Sequence, residues 1–96
     1  MRLEFCPFVA SDLDDIAACI AQDSTRRAVK FIQTLRLKFR DIQSNRLIYQ
    51  LRPEICDEAR LAAVGRYVIL FRVEDDVVRI ERVAYDGRDL PAILDD

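Results

Sequence analysis

The sequence predicts one α+β domain over residues 1–96, with element order β-α-α-β-β-β and an antiparallel sheet that has a helical hairpin packed on one face. Three observations support this prediction. Short segments in which apolar and polar residues alternate occur near both ends of the chain. Two segments with apolar residues at helical spacing follow each other in the first half. Short polar turns separate the segments of the second half. The length of 96 residues fits a single domain.

The first two elements are a strand and a helix. Residues 2–6 alternate, which places Leu3 and Phe5 on one face of a short strand. Pro7 ends this strand because proline cannot donate to a ladder. Ser11 is the predicted N-cap of the first helix. The apolar stripe of this helix comprises Leu13, Ile16, Ala17 and Ile20.

Asp23 and Ser24 separate this helix from a second one, predicted over residues 25–43, and Ser24 caps the second. Because the connection is short, the two helices should form an antiparallel hairpin. The buried stripe of the second helix comprises Ala28, Phe31, Ile32, Leu35, Phe39 and Ile42. Its other positions are strongly basic, and a solvated face is the favoured interpretation.

Three strands are predicted in the second half of the chain, over residues 59–64, 67–73 and 77–84. Gly65-Arg66 and Asp75-Asp76 form the turns between them. The irregular residues 46–58 precede these strands, and we expect Leu47, Ile48, Leu51 and Ile55 to tuck this loop onto the core.

A two-residue turn at Asp75-Asp76 fixes the register of the last hairpin. In this register, one face of the hairpin is almost entirely apolar and packs against the helices. Most of the arginines lie on the other face. Arg82 is the exception on the apolar face, and we expect it to pair with a carboxylate or carbonyl of the first helix or the tail. The predicted pairs are Val73 with Val78, Phe71 with Ile80, Ile69 with Arg82, and Tyr67 with Ala84.

Composition excludes several classes of function. The chain has no histidine, which argues against a zinc site or a Ser-His-Asp hydrolase. Its three cysteines show no Cys-x-x-Cys spacing, so reduced thiols are expected. No cofactor or metal is predicted. The net charge of −2 argues against binding nucleic acid mainly through bulk electrostatics.

Arg2 and Glu4 interrupt the first residues, so no secretory signal is expected, and no apolar run approaches the ~20 residues that span a bilayer. We therefore expect a cytoplasmic protein without a membrane partner.

Three stretches of the sequence resemble the RelE/ParE superfamily of type II toxin–antitoxin toxins. Residues 11–16 (SDLDDI) resemble the start of the family's first helix, and Arg60 stands before a strand. Residues 65–73 (GRYVILFRV) look like its central strand, and residues 83–90 (VAYDGRDL) look like its closing segment. Tyr85 stands at the family's histidine-like position. The similarity spans nearly the whole chain.

This resemblance implies one of two activities. RelE-like toxins cleave mRNA on the ribosome, whereas ParE-like toxins inhibit DNA gyrase. Cleavage of RNA needs an acid and a base, and arginine supplies neither because its pKa stays above ~12. The tail after Arg88 has no tyrosine, and the only lysines, Lys30 and Lys38, lie on the second helix. The ParE-like alternative is therefore favoured, with no catalytic residues.

The resemblance also implies a cognate ParD-like antitoxin as partner, a hetero-oligomer with it, and a role in plasmid stabilisation. The candidate residues for contact with target or antitoxin are Arg60, Arg72, Tyr85, Arg88 and Asp89. For Arg72 and Arg88, salt bridges to Glu81, Asp86 or Asp89 are an equally favoured interpretation. Two further alternatives stay open: a RelE-like ribonuclease, and an inactive module that only sequesters an antitoxin.

Overall fold

The computed structural model describes residues 1–87, and these confirm the predicted order of elements. Two helices pack on one face of a four-stranded sheet with strand order β1-β4-β3-β2. The sheet is mixed, because β1 pairs in parallel with β4, whereas β2, β3 and β4 are antiparallel as predicted. The elements are β1 (Arg2–Phe5), α1 (Phe8–Ala21), α2 (Thr25–Asn45), a 3₁₀ turn (Arg46–Ile48), β2 (Ala59–Val64), β3 (Tyr67–Glu74) and β4 (Val77–Tyr85).

The two helices begin in different ways. α1 begins at Phe8, so the predicted N-cap at Ser11 is wrong, and Pro7 takes that position with φ of −55°. Proline fits there because the first N–H groups of a helix have no intrahelical partner to lose. Ser24 caps α2 as predicted, since its hydroxyl accepts a hydrogen bond from the Arg27 N–H at 3.2 Å. No helix within residues 1–87 is long and apolar enough to cross a bilayer.

The hydrophobic core lies between the helical hairpin and the sheet. Phe71 at its centre is fully buried, as predicted, and Tyr67 packs at its margin. The other core side chains that are at most 2 % exposed are Val9, Leu35, Ile42, Ala62, Ile69, Val78 and Ile80. A smaller cluster of Val68, Leu70 and Ala84 is buried on the opposite face, where Ile55 and Leu61 pack against it.

A β-bulge changes the register of the last hairpin. The pairs Val73–Val78 and Phe71–Ile80 are confirmed, but the register then shifts between Leu70 and Phe71. Beyond the shift, Ile69 lies opposite Val83 and Tyr67 opposite Tyr85, so the pairs predicted with Arg82 and Ala84 are wrong. The extra residue in β4 turns Val83 into the core and Ala84 towards the opposite face.

The loop before β2 also differs from the expectation. Leu47, Ile48 and Leu51 are 68 %, 77 % and 47 % exposed, so their predicted burial is wrong. Tyr49 packs against the core in their place, and its ring meets Phe71 edge to face at 5.7 Å. Tyr49 therefore takes the core position that these aliphatic side chains were expected to fill.

Candidate contact surfaces

Arg72 lies on the sheet face that points away from the helices. It forms an ion pair with Glu74 at 3.3 Å rather than with Glu81, and its side chain remains 32 % exposed. Its Nε is buried without a hydrogen-bond partner among the described residues. The residue directly opposite on β4 is Arg79. Two like charges in this position repel each other, which an anionic partner could relieve.

Arg60 has a structural contact that the sequence did not reveal. It pairs with Phe71 across β2 and β3, which places it on the helix side of the sheet. Its Nη1 donates to the carbonyl oxygen of Tyr49 at 2.6 Å. Arg60 therefore anchors the loop that precedes β2.

Tyr85 ends β4 with 46 % of its surface exposed. Its ring packs edge to face on Tyr67 with the ring centroids 5.8 Å apart. Burial, followed by the Cys19 thiol and Tyr85, raises the pKa of Tyr67. A Cβ at Gly87 would lie 2.8 Å from a carbon of the Tyr85 ring, so glycine lets the ring lie against the turn.

The described candidates do not form one site. Arg60 and Arg72 lie on opposite faces of the sheet. Five positions along β3 separate Arg72 from Tyr67, which is the partner of Tyr85, and this corresponds to about 17 Å. Arg88 and Asp89 lie outside the described residues. The geometry therefore offers several separate contact points and no convergent set of reactive groups within residues 1–87.

Arg82 forms the structural ion pair that its position predicts. Its Nε and Nη2 donate to the two carboxylate oxygens of Asp12 at 2.8 and 2.9 Å. Asp12 Oδ2 also accepts the Val83 N–H at 3.0 Å. The guanidinium carbon lies 5.4 Å from the ring centroid of Phe8. This pair fixes α1 to the bulge of β4.

An apolar groove follows the outer seam between α1 and α2. One part, of about 560 Å³, includes Phe5 and Phe39, and the next, of about 530 Å³, includes Ala18 and Val29. Arg36 lines both parts, so they adjoin along α2. The groove was not predicted from the sequence, although the alanines on α1 were a signal because small side chains leave space beside a helix.

Charge is distributed unevenly between the two helices. α2 carries six basic residues and one aspartate, whereas α1 carries three aspartates and no base. Among the described residues, no Arg or Lys of α2 lies within 4.0 Å of a carboxylate oxygen. The basic side of the groove is thus available to an acidic partner.

These features define a small α+β domain with an apolar groove and dispersed contact residues. The chain belongs to the family of ParE toxins of the type II toxin–antitoxin system parDE, which it matches over residues 3–90. This confirms the resemblance to the RelE/ParE superfamily and the ParE-like branch within it.

A solved structure described as the chromosomal ParDE TA system from P. aeruginosa is similar in fold, with a TM-score of 0.77. The two sequences are 22 % identical, and the match covers 88 % of this chain and 95 % of the other. No curated protein matches this chain.

Proposed function

We propose that this chain is a cytoplasmic toxin that inhibits DNA gyrase by direct protein contact and is neutralised by a ParD-like antitoxin. The observation that carries this proposal is the dispersal of the candidate residues over both faces of the sheet in a member of the ParE family. Dispersed contact points suit binding to a large partner, whereas catalysis needs groups that converge on the reacting atoms.

The candidate contacts with gyrase are Arg72 and Tyr85, together with Arg88 and Asp89 beyond the described residues. Arg72 faces Arg79 across the hairpin, so a carboxylate from a partner would relieve the repulsion between two like charges. Tyr85 offers a large exposed ring supported by Tyr67. Arginine and tyrosine are both enriched among residues that dominate protein interfaces.

The groove beside α2 is the proposed place of the antitoxin. An amphipathic helix could lay its apolar face against Phe5, Phe39 and Val29. Acidic side chains at its margin would meet Arg36 and Arg40, which line the groove. Such a complex is a hetero-oligomer, and it would cover exposed apolar surface on a small domain.

A supercoiling assay tests the gyrase proposal. Purified chain added to gyrase holoenzyme and relaxed plasmid should inhibit supercoiling and trap a DNA cleavage complex. Arg72→Ala and Tyr85→Ala should each weaken inhibition by about tenfold, the loss of roughly 1.4 kcal/mol of binding. Arg26→Ala, an exposed arginine of α2, is the control.

Three results would contradict the proposal. Unchanged supercoiling at high concentrations of the chain would exclude gyrase as the target. Codon-specific cuts on a translating ribosome, lost in Arg72→Ala and Arg88→Ala, would identify a RelE-like ribonuclease instead. Overexpression without growth arrest would indicate a module that only binds antitoxin.

A further inference from the structure

The end of β4 can pair with β3 in either of two registers. The turn at Asp75-Asp76 and the pairs nearest to it set a regular ladder, which β4 follows as far as Ile80. Glu81 is the extra residue of the bulge, and every later residue of β4 is displaced by one position from that ladder. A displacement by one residue reverses the face of the sheet on which each side chain lies. The register therefore decides the surroundings of the four residues that end the strand, Arg82, Val83, Ala84 and Tyr85.

The side chains of β4 distinguish only weakly between the two registers. In the bulged register, Val83 is buried in the core and Ala84 is buried on the opposite face. In the regular register the two would exchange faces, and each face would still receive an aliphatic side chain. The Arg82 guanidinium lies on the helix side in the bulged register and would lie there in the regular one too. Because the bulge also interrupts the ladder, a contact from outside the hairpin is needed to favour it.

Asp12 supplies this contact. β1 pairs with β4 only from Val77 to Ile80, so among residues 1–87 the outer edge of β4 has no neighbouring strand beyond Ile80. Asp12 of α1 lies at this edge, and its Oδ2 accepts the Val83 N–H at 3.0 Å. Because the N–H groups of successive residues point to opposite edges of a strand, a slip by one residue would turn the Val83 N–H towards β3. The hydrogen bond from Val83 to Asp12 therefore belongs to the bulged register alone.

We infer that Asp12 selects the bulged register of β4 and thereby positions Tyr85 against Tyr67. In the bulged register these two tyrosines are cross-strand partners, and their rings are in contact. Without Asp12, the end of β4 returns to the ladder that the turn sets, in which Ala84 lies opposite Tyr67. Tyr85 then moves to the face of the sheet that points away from the helices. Asp12 is thus a positioning residue that acts on Tyr85 through the backbone of β4.

NMR spectroscopy of the isotope-labelled chain measures the register directly. In the wild type, the strongest cross-strand backbone NOE of Ile69 should be to Val83, whereas in Asp12→Ala it should be to Arg82. Asp14→Ala, which removes an exposed carboxylate of the same helix, is the control and should keep the NOEs of the wild type. An Asp12→Ala chain that keeps the NOE between Ile69 and Val83 would overturn the inference.

Deletion of Glu81 gives a second test, because it removes the extra residue of the bulge. The regular ladder of the shortened strand pairs Tyr67 with Tyr85, as in the wild type, and does not need Asp12 to do so. The deletion combined with Asp12→Ala should therefore restore the cross-strand NOEs of the wild type, whereas the loss of a merely stabilising contact would not be rescued in this way. If Asp12→Ala alone does not fold, a folded double variant with these NOEs supports the inference, and any other result from the double variant contradicts it.

The consequence for gyrase rests on the proposed function, in which Tyr85 is a contact residue. Asp12→Ala should weaken the inhibition of supercoiling by about tenfold, like Tyr85→Ala, and deletion of Glu81 from that variant should restore it. If the wild type does not inhibit gyrase, the proposed function fails, and the NOEs still decide the register. If Asp12→Ala adopts the regular register and inhibits gyrase like the wild type, the positioning role of Asp12 is overturned.

Discussion

Asp12 is a single carboxylate with two partners on another element. It binds the Arg82 guanidinium through both oxygens and accepts the Val83 N–H at the bulge. A bulge leaves a strand N–H without its ladder partner, and here a side chain from α1 supplies one. The Asp-Leu-x-x-Ile pattern of residues 12–16 thus has a structural explanation, because Asp12 fixes the helix to the sheet while Ile16 enters the core.

We expect Asp12→Ala to lower the free energy of unfolding by about 3 kcal/mol, since it leaves a mostly buried guanidinium and a strand N–H without this partner. Urea unfolding followed by circular dichroism measures the change. Asp14→Ala, an exposed carboxylate on the same helix, should change stability by less than about 0.5 kcal/mol. Equal stability of the two variants would contradict the structural role of Asp12.

The contact between Asp41 and Tyr49 makes the loop that follows α2 sensitive to acid. The hydrogen bond from Tyr49 lowers the pKa of Asp41 in the folded chain below its ordinary value of 3.8. Since the folded state favours the ionised form, this contribution to stability is complete above the ordinary pKa. It is lost as the pH falls through the lowered value.

Acidification from pH 6 to pH 3 should therefore destabilise the wild type more than Asp41→Asn. Thermal unfolding of both chains across this range measures the difference. Asp23→Asn, a carboxyl in the turn between α1 and α2, is the control and should follow the wild type. Parallel pH profiles of the wild type and Asp41→Asn would contradict the prediction.

Elements that depend on local sequence patterns could be predicted. Features that depend on contacts between residues far apart in the sequence could not. The strands β2 to β4 followed from alternation and turn residues, and α2 from its cap and apolar stripe. The bulge could not be predicted from local patterns because the residues that stabilise it, Asp12 and Arg82, lie 70 positions apart. The burial of Leu47, Ile48 and Leu51 was predicted wrongly because Tyr49 takes the core position, and apolar spacing alone does not tell which side chain enters the core.

The roles of the candidate residues stay predictions, and the structure supplies only some of their contacts. Sequence reasoning gave Arg82 its structural role and placed Arg72 correctly on the face away from the helices. It missed the contact of Arg60 with a backbone carbonyl, since no pattern in the sequence predicts that bond. The groove depends on the packing of two helices, so it emerged only from the structure.

The turn between β2 and β3 depends on Gly65. Its φ of +59° is a left-handed conformation, and an added Cβ would approach only Phe31, at an ordinary 3.8 Å. Gly65→Ala should therefore cost about 1 kcal/mol through backbone strain alone, a decrease of roughly 4–8 °C in Tm. Glu58→Gly is the reciprocal control, because Glu58 also has a positive φ, of 62°, and its replacement should not lower Tm. A Gly65→Ala chain as stable as the wild type would contradict this.

The whole molecule is acidic, but its second helix, α2, is basic. The net charge is −2, yet α2 has five more basic than acidic residues. The long-range electrostatic potential of the chain is therefore negative, whereas the local potential at the groove is positive. An acidic antitoxin segment would gain affinity from α2 alone.

Antitoxin binding should weaken as salt rises, because salt screens exposed charges. Arg36→Glu should lower the affinity by at least about tenfold and flatten its salt dependence. Arg79→Glu, a charge reversal on the open sheet face, is the control and should leave the affinity unchanged. Isothermal titration with the cognate antitoxin between low and high salt measures both effects. An affinity that does not depend on Arg36 would place the antitoxin elsewhere.

The parallel pairing of β1 with β4 also governs when the sheet can be completed during synthesis. Arg2 in β1 pairs with Val77 in β4, and Asp12 in α1 pairs with Arg82 in β4. A ribosome that is still making β4 therefore carries a chain whose sheet cannot close, since its first strand has no neighbour. Such distant pairing slows folding as well. On the function proposed above, a cell that synthesises this chain has an interval, set by the topology of the fold, in which an antitoxin made alongside can bind the chain before it acts.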